Sequence, residues 1–161
     1  MAVEASLARL RELALGIPRP GCDWEERPRF QPPASPKQVA AFERAAGFPL
    51  PADLRAFLAD AGAVVGMSVH NGYWVGDVER LGRSIDRGDF PRSVSGESAV
   101  PVATDGGGNA FLLSEGGRVW RWDHDTGSVS EVAASFEHFI ERVAADWSAY
   151  VAETPGWRVL V

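Results

Sequence analysis

Two hydrophobic periods run along this chain, and together they divide it into helical and sheet regions. Near the N-terminus, Leu7, Leu10 and Ala14 recur at helical spacing and predict a short helix that Gly16, Pro18, Pro20 and Gly21 end. Residues 16–34 read as a Pro-rich connection in which Pro28, Pro32 and Pro33 deny regular structure. Trp24 and Phe30 predict that this strap lies over the core. The next helix has a clear start: Ser35 is a good N-cap, Pro36 takes the first helical position, and Gln38 completes a capping box. Val39, Phe42 and Ala46 line one face before Gly47 stops it, which places a helix at 36–46. Phe48-Pro49-Leu50 makes a tight corner, and Pro51 opens a helix over 51–61 with Asp53 in its first turn. Leu54, Phe57, Leu58 and Ala61 form its buried stripe, and Gly62 closes it.

From residue 63 onward the pattern changes to short apolar runs. Val64, Val65 and Met67 predict one strand, and Tyr73, Trp74 and Val75 a second. Residues 77–85 read as a short helix or a turn with Val78 and Leu81 buried, and residues 86–98 as an exposed loop. Four segments follow in a meander over 100–132: Val100–Thr104, Ala110–Leu113, Arg118–Trp122 and Ser128–Val132. Asp105-Gly106-Gly107-Gly108, Glu115-Gly116-Gly117 and Asp125-Thr126-Gly127 supply the turns, and connections this short require antiparallel pairing. Ser135 then caps a helix over 135–150. Phe136, Phe139, Ile140, Val143, Ala144 and Trp147 form its apolar stripe, with Glu137, Glu141 and Asp146 assigned to the other face. The expected fold is α+β, a sheet flanked by helices, with residues 1–161 as one domain and 1–34 its N-terminal helix and strap.

Composition is that of an ordinary globular protein: 45% apolar and 24% charged residues. Cys22 is the sole cysteine, which excludes an intrachain disulfide and a cysteine-based metal cluster. The N-terminus carries Glu4 where a signal peptide would carry positive charge, and no run approaches the about 18 apolar residues of a membrane span. These features predict a cytoplasmic protein with no membrane partner. The net charge of −6 is unevenly placed. Residues 1–92 are neutral, whereas residues 93–161 set Arg118, Arg121, Arg142 and Arg158 against ten carboxylates. That half repels a phosphate backbone, so nucleic acid is not an expected partner, and it attracts a basic protein.

Candidate chemistry is sparse. Asp105-Gly106-Gly107-Gly108-Asn109 precedes a strand rather than a helix and lacks Gly-Lys-Ser/Thr, so it reads as a hairpin turn and not a phosphate cradle. Trp122-Asp123-His124-Asp125 sets an imidazole between two carboxylates. Adjacent strand residues point to opposite faces, so Asp123 and His124 converge only if the chain turns there, and the motif reads as a solvated strand end. A catalytic site would need His70, Asp105 and His124 to meet in one pocket. No nucleophile or metalloprotease signature accompanies them. No catalytic residue, cofactor or metal is expected. Trp120 and Trp122 share a strand face, expected to lie under the last helix, while Trp74 is a candidate interface anchor.

Several motifs, taken in order, carry a resemblance. Residues Phe48-Pro49-Leu50-Pro51-Ala52-Asp53-Leu54 resemble the helix–Gly-x-x-Leu-Pro–helix signature of the SMI1/KNR4 family, or SUKH superfamily. Val100-Pro101-Val102-Ala103-Thr104-Asp105-Gly106-Gly107-Gly108 is similar to its hairpin signature, and Val119-Trp120-Arg121-Trp122-Asp123-His124 to the strand and turn that follow. Val132-Ala133-Ala134-Ser135-Phe136 and Phe139 resemble the start of its closing helix. The resemblance covers roughly residues 36–150 and implies a mixed or antiparallel sheet flanked by helices. It also implies a non-catalytic protein-binding role, since bacterial members commonly act as immunity proteins that neutralise a cognate toxin. The alternative it leaves open is a regulatory scaffold or small-ligand-binding protein without a toxin partner. If the toxin is a basic nuclease, Asp123, Asp125, Glu131, Glu137 and Glu141 would supply the acidic surface, with Trp74 as anchor.

Overall fold

Local signals of capping and turn chemistry set the boundaries of nearly every element. The computed structural model describes residues 2–154. Its elements are α1 (Ala2–Ala14), β1 (Arg29–Phe30), α2 (Pro36–Ala46), α3 (Ala52–Asp60), β2 (Ala63–Gly66) and β3 (Tyr73–Gly76). They continue as α4 (Val78–Arg87), β4 (Ser93–Val94), β5 (Glu97–Thr104), β6 (Ala110–Ser114), β7 (Val119–Trp122), β8 (Val129–Ala133) and α5 (Phe136–Val151). At α2 the capping box forms as the sequence predicts. The Ser35 hydroxyl accepts from the Gln38 amide at 3.1 Å, and the Gln38 side chain accepts from the Ser35 amide at 2.8 Å. Gly47 ends the helix at φ 81°, a conformation that suits glycine. Ser135 caps α5 with its hydroxyl, which accepts from the His138 amide at 3.0 Å, and Asp53 in the first turn of α3 accepts from the Glu137 amide at 2.9 Å. The carboxylate thus satisfies an otherwise orphan donor and ties α3 to the start of α5.

The strands form one sheet in the order β1-β2-β3-β5-β6-β7-β8, with β4 also paired to β5. Every pairing is antiparallel, so the sheet is of the antiparallel kind and not mixed. The meander of 100–132 is β5 to β8. Three local expectations are corrected. The strap is not wholly irregular, because Arg29 and Phe30 pair with Val65 and Val64 as an edge strand, a place where flanking prolines are tolerated. Met67 falls outside β2 and is exposed. Residues 86–98 are not one loop: α4 runs through Arg87, and Ser95 and Gly96, both at positive φ, close a two-residue hairpin between β4 and β5.

Alternation on the strands builds two unequal cores. Tyr73, Val75, Val100, Phe111, Leu113 and Val119 point to the face on which Phe136, Phe139, Ile140, Val143 and Trp147 of α5 pack, and all five helices contribute to this core. Phe111 meets Phe139 with ring centroids 5.0 Å apart, and Phe57 of α3 meets Phe136 at 5.3 Å. Gly66 is required here, since a Cβ would stand 2.4 Å from Trp147 Cζ2. The other face carries a second cluster of Val94, Ala99, Ala110 and Leu112, covered by Phe90, Trp120 and Trp122. It draws no residue from a helix. Trp120 and Trp122 therefore do not lie under α5, as the alternation had suggested. Their neighbour Val119 does, because the helix took the opposite face of β7.

Candidate interaction surface

Register places Trp74, Thr104, Ala110 and Trp122 in one cross-strand row, so Trp74 and Trp122 share the face opposite α5, onto which α4 sends the Arg80 side chain. Three strand spacings separate them, about 14 Å. Trp120 lies two residues from Trp122 on the same face, and all three indoles are partly exposed. Arg80 stacks on Trp74 with its guanidinium carbon 4.2 Å from the ring, and donates to Thr104 Oγ1 at 3.2 Å. Burial lowers the Arg80 pKa from its ordinary value, opposed by the nearby Asp77 carboxylate.

The acidic residues expected on one surface divide into two groups. Glu131 stands opposite Trp120 on the face away from α5 and pairs with Arg118. Asp123 and Asp125 lie in the turn that follows β7. Glu137 and Glu141 belong to α5, on the other side of the sheet, where Arg142 and His138 occupy the side of the helix that reaches β8. Asp146 is not on the solvent face of α5 at all: it is 1% exposed. The Tyr73 hydroxyl donates to Asp146 Oδ2 at 2.6 Å and accepts from Asn71 Nδ2 at 3.2 Å, and His70 Nε2 is 3.8 Å from Asp146 Oδ1. Burial first, then the Asp146 carboxylate, push the Tyr73 pKa far above the ordinary phenol value, so the phenol is the proton donor of this pair.

A second buried cluster adjoins it. Glu25 of the strap accepts from the Arg19 amide at 2.7 Å and from Arg19 Nε at 2.8 Å, and the Tyr150 hydroxyl donates to the same carboxylate. Burial opposes ionisation of Glu25, but these hydrogen bonds outweigh it and hold its pKa below the usual glutamate range. Tyr150, desolvated and next to Glu25, is pushed up to about 12. Its ring lies 4.8 Å from His70, so the clamp and the Asp146 cluster touch. Trp24, expected over the core, is 68% exposed instead. The strap is held by Glu25, and by the Glu26 amide donating to Ser68 Oγ at 3.0 Å, rather than by its indole.

The remaining candidates serve turns. Asp105 Oδ1 accepts from the Gly107 and Asn109 amides at 2.8 and 3.0 Å, as a hairpin requires. Its loop lies between the Asn71-Gly72 turn, through Gly106 N to Asn71 O at 2.6 Å, and the His124 ring. The chain does turn after Trp122, and it brings ligand atoms of Asp123, His124 and Asp125 within 4.8 Å of one another. These are the residues whose donor set could meet a cation. However, Asp123 Oδ1 already accepts from the Asp125 and Thr126 amides, and the Arg121 guanidinium is 3.7 Å from Oδ2. Those amides, with Arg121, hold the Asp123 pKa below its ordinary value. His70 contacts Asp146 and Tyr150, whereas His124 contacts Asn109 and Asp125 at 3.0 and 3.1 Å, so the two histidines join different clusters.

The fold and these contacts define an α+β protein with helices packed on one face of an antiparallel sheet. Its internal carboxylates are held in turns and clamps. The sequence pattern of the SMI1 / KNR4 family (SUKH-1) matches residues 33–142, and the chain belongs to that family. No curated protein matches the chain. No helix among the described residues is long and apolar enough to cross a membrane.

Proposed function

We propose that this protein is a non-catalytic protein-binding module of the immunity type, which caps a cognate toxin domain. Family membership supports the reading, and the observation that carries it is the sheet face opposite α5, where Arg80 of α4 covers part of Trp74 and no helix residue joins the cluster around Trp120 and Trp122. There Trp74, Trp120 and Trp122 are partly exposed on a rigid support, with Asp123, Asp125 and Glu131 along one side. Tryptophans held in place lose little freedom on binding, which suits a preformed inhibitory surface. The excess negative charge of residues 93–161 would speed encounter with a basic toxin, a basic nuclease among them.

The test is to co-express the chain with the toxin domain encoded beside its gene and to follow association of the purified pair at varied salt. Neutralisation, with an association rate that falls as salt rises, is the expected result. The variant Asp123→Asn/Asp125→Asn/Glu131→Gln should associate more slowly and with a flatter salt dependence. An unchanged rate at low salt would exclude that surface, and failure to neutralise would remove the toxin reading.

A further inference from the structure

Helices α2 and α4 run side by side in the same direction and leave a groove between them. Gln38 Nε2 donates to Glu79 Oε1 at 3.0 Å at one end, and Ala45 and Asp86 line the other. The groove has a volume of about 600 Å³, within the range of sites that bury a ligand. Its floor is apolar and low: Ala41 and Ala45 from α2, Gly82 from α4, with Phe42 and Val78 beneath. Gly82 stands in the interior of α4, where glycine weakens a helix, yet a Cβ there would meet nothing within 4 Å. Its effect is to leave the groove open. At 11 and 10 residues the two helices are about 15 Å long, or three turns of a third helix laid between them.

Charge on the rim selects the occupant. On the α2 side, exposed Lys37 lines the groove and exposed Arg44, seven residues on and so on the same side of the helix, stands just outside the lining, while Arg83 lines it from α4. Among the described residues none of these three is ion-paired, whereas Arg55 on the adjoining helix pairs with Glu43 and Arg87 with Asp89. The carboxylates of the groove are on the α4 wall, with Glu79 held by Gln38 and Asp86 at the far end. The α2 rim therefore carries cations and no carboxylate, while over the whole lining Lys37 and Arg83 balance Glu79 and Asp86.

We propose that this groove receives an amphipathic helix of a partner protein, its apolar stripe on Ala41, Ala45 and Gly82 and its carboxylates against Lys37 and Arg44. The site is separate from the sheet face and does not depend on the toxin reading.

The probe is a stapled 12-residue helical peptide with leucines at i, i+3, i+4 and i+7 and glutamates on one flank. A second peptide carries lysines in their place. Both are titrated into the full-length protein while backbone amide resonances are followed. The expected result is saturable shifts confined to residues 37–45 and 78–86 with the glutamate peptide, weakened by salt, and at least tenfold weaker binding of the lysine peptide. Gly82→Leu, which fills the groove with a better helix former, should keep the fold and weaken binding at least tenfold, as should Lys37→Glu/Arg44→Glu. Absence of saturable shifts, equal binding of the two peptides, or unchanged affinity in Gly82→Leu would each overturn the proposal.

Discussion

Replacing Tyr73 by Phe deletes one oxygen atom and leaves the ring, and the cost can be worked from the contacts it makes. Tyr73 and Asp146 are 0% and 1% exposed, and the phenol hydroxyl donates to the carboxylate at 2.6 Å. Water does not reach Asp146 to replace that donor, so the loss is that of a hydrogen bond to a charged group, about 1.5–3 kcal/mol. Asn71, which donates to the same hydroxyl, is only partly buried and can turn to solvent. For a chain of this length such a loss lowers Tm by about 3–12 °C. Urea unfolding at pH 7, followed by circular dichroism, should show a lower midpoint at unchanged slope. The decisive measurement is the double-mutant cycle with Asp146→Ala. Once the carboxylate is gone, the phenylalanine variant has nothing left to lose, so the double variant should be more stable than the sum of the singles by about 1.5–3 kcal/mol. Additivity within about 0.5 kcal/mol would show that the two side chains do not act as a pair, and would refute the reasoning.

Three further outcomes are expected. Glu25 has a folded-state pKa below its unfolded value, so the stability from its clamp is complete above pH ~4.3 and is lost as pH falls through the folded value. Tm measured from pH 7 to pH 3 should fall more steeply for the wild type than for Glu25→Gln below about pH 5, and parallel curves would count against the clamp. Gly66→Ala should cost about 1–3 kcal/mol in urea unfolding, because the added methyl must displace the Trp147 ring that stands 2.4 Å from it. Ser35→Ala removes the hydroxyl half of the α2 capping box, leaving the residue 35 amide its bond to Gln38, and should cost about 1 kcal/mol, with no change in the near-ultraviolet spectrum of the tryptophans.

The elements legible in the sequence are those with a chemical signal at their own ends. Ser35 with Gln38, Gly47, and the Asp105-Gly106-Gly107-Gly108 and Asp125-Thr126-Gly127 turns mark their boundaries within one residue or two. What escaped depends on which face a second element takes. Alternation on β7 separates Trp120 and Trp122 from Val119, but it does not say which set α5 will cover. The β4–β5 hairpin was hidden because β4 is two residues long and its polar loop continues the composition of the stretch before it. Asp146 did carry a signal that its charge overrode. It stands three residues after Val143 and four before Tyr150, on the buried stripe of α5, and its partner Tyr73 is far away in the chain. The strap follows a related rule: Trp24 carries the apolar signal of an anchor, whereas the buried group is Glu25, whose partners Arg19 and Tyr150 make burial of a carboxylate tolerable.

The pairing of the first helix with the last has a consequence during synthesis. Leu7, Leu10 and Leu13 of α1 find part of their cover on α5, and the strap behind α1 is fastened to Tyr150. More than a hundred residues separate the end of α1 from the start of α5, which at ~5–20 residues per second amounts to roughly ten seconds of translation. For that interval the leucines of the nascent helix lack the cover that α5 gives them. The ribosome must release α5 before α1 can settle, which makes α1 the place where a chaperone would find hydrophobic surface to hold.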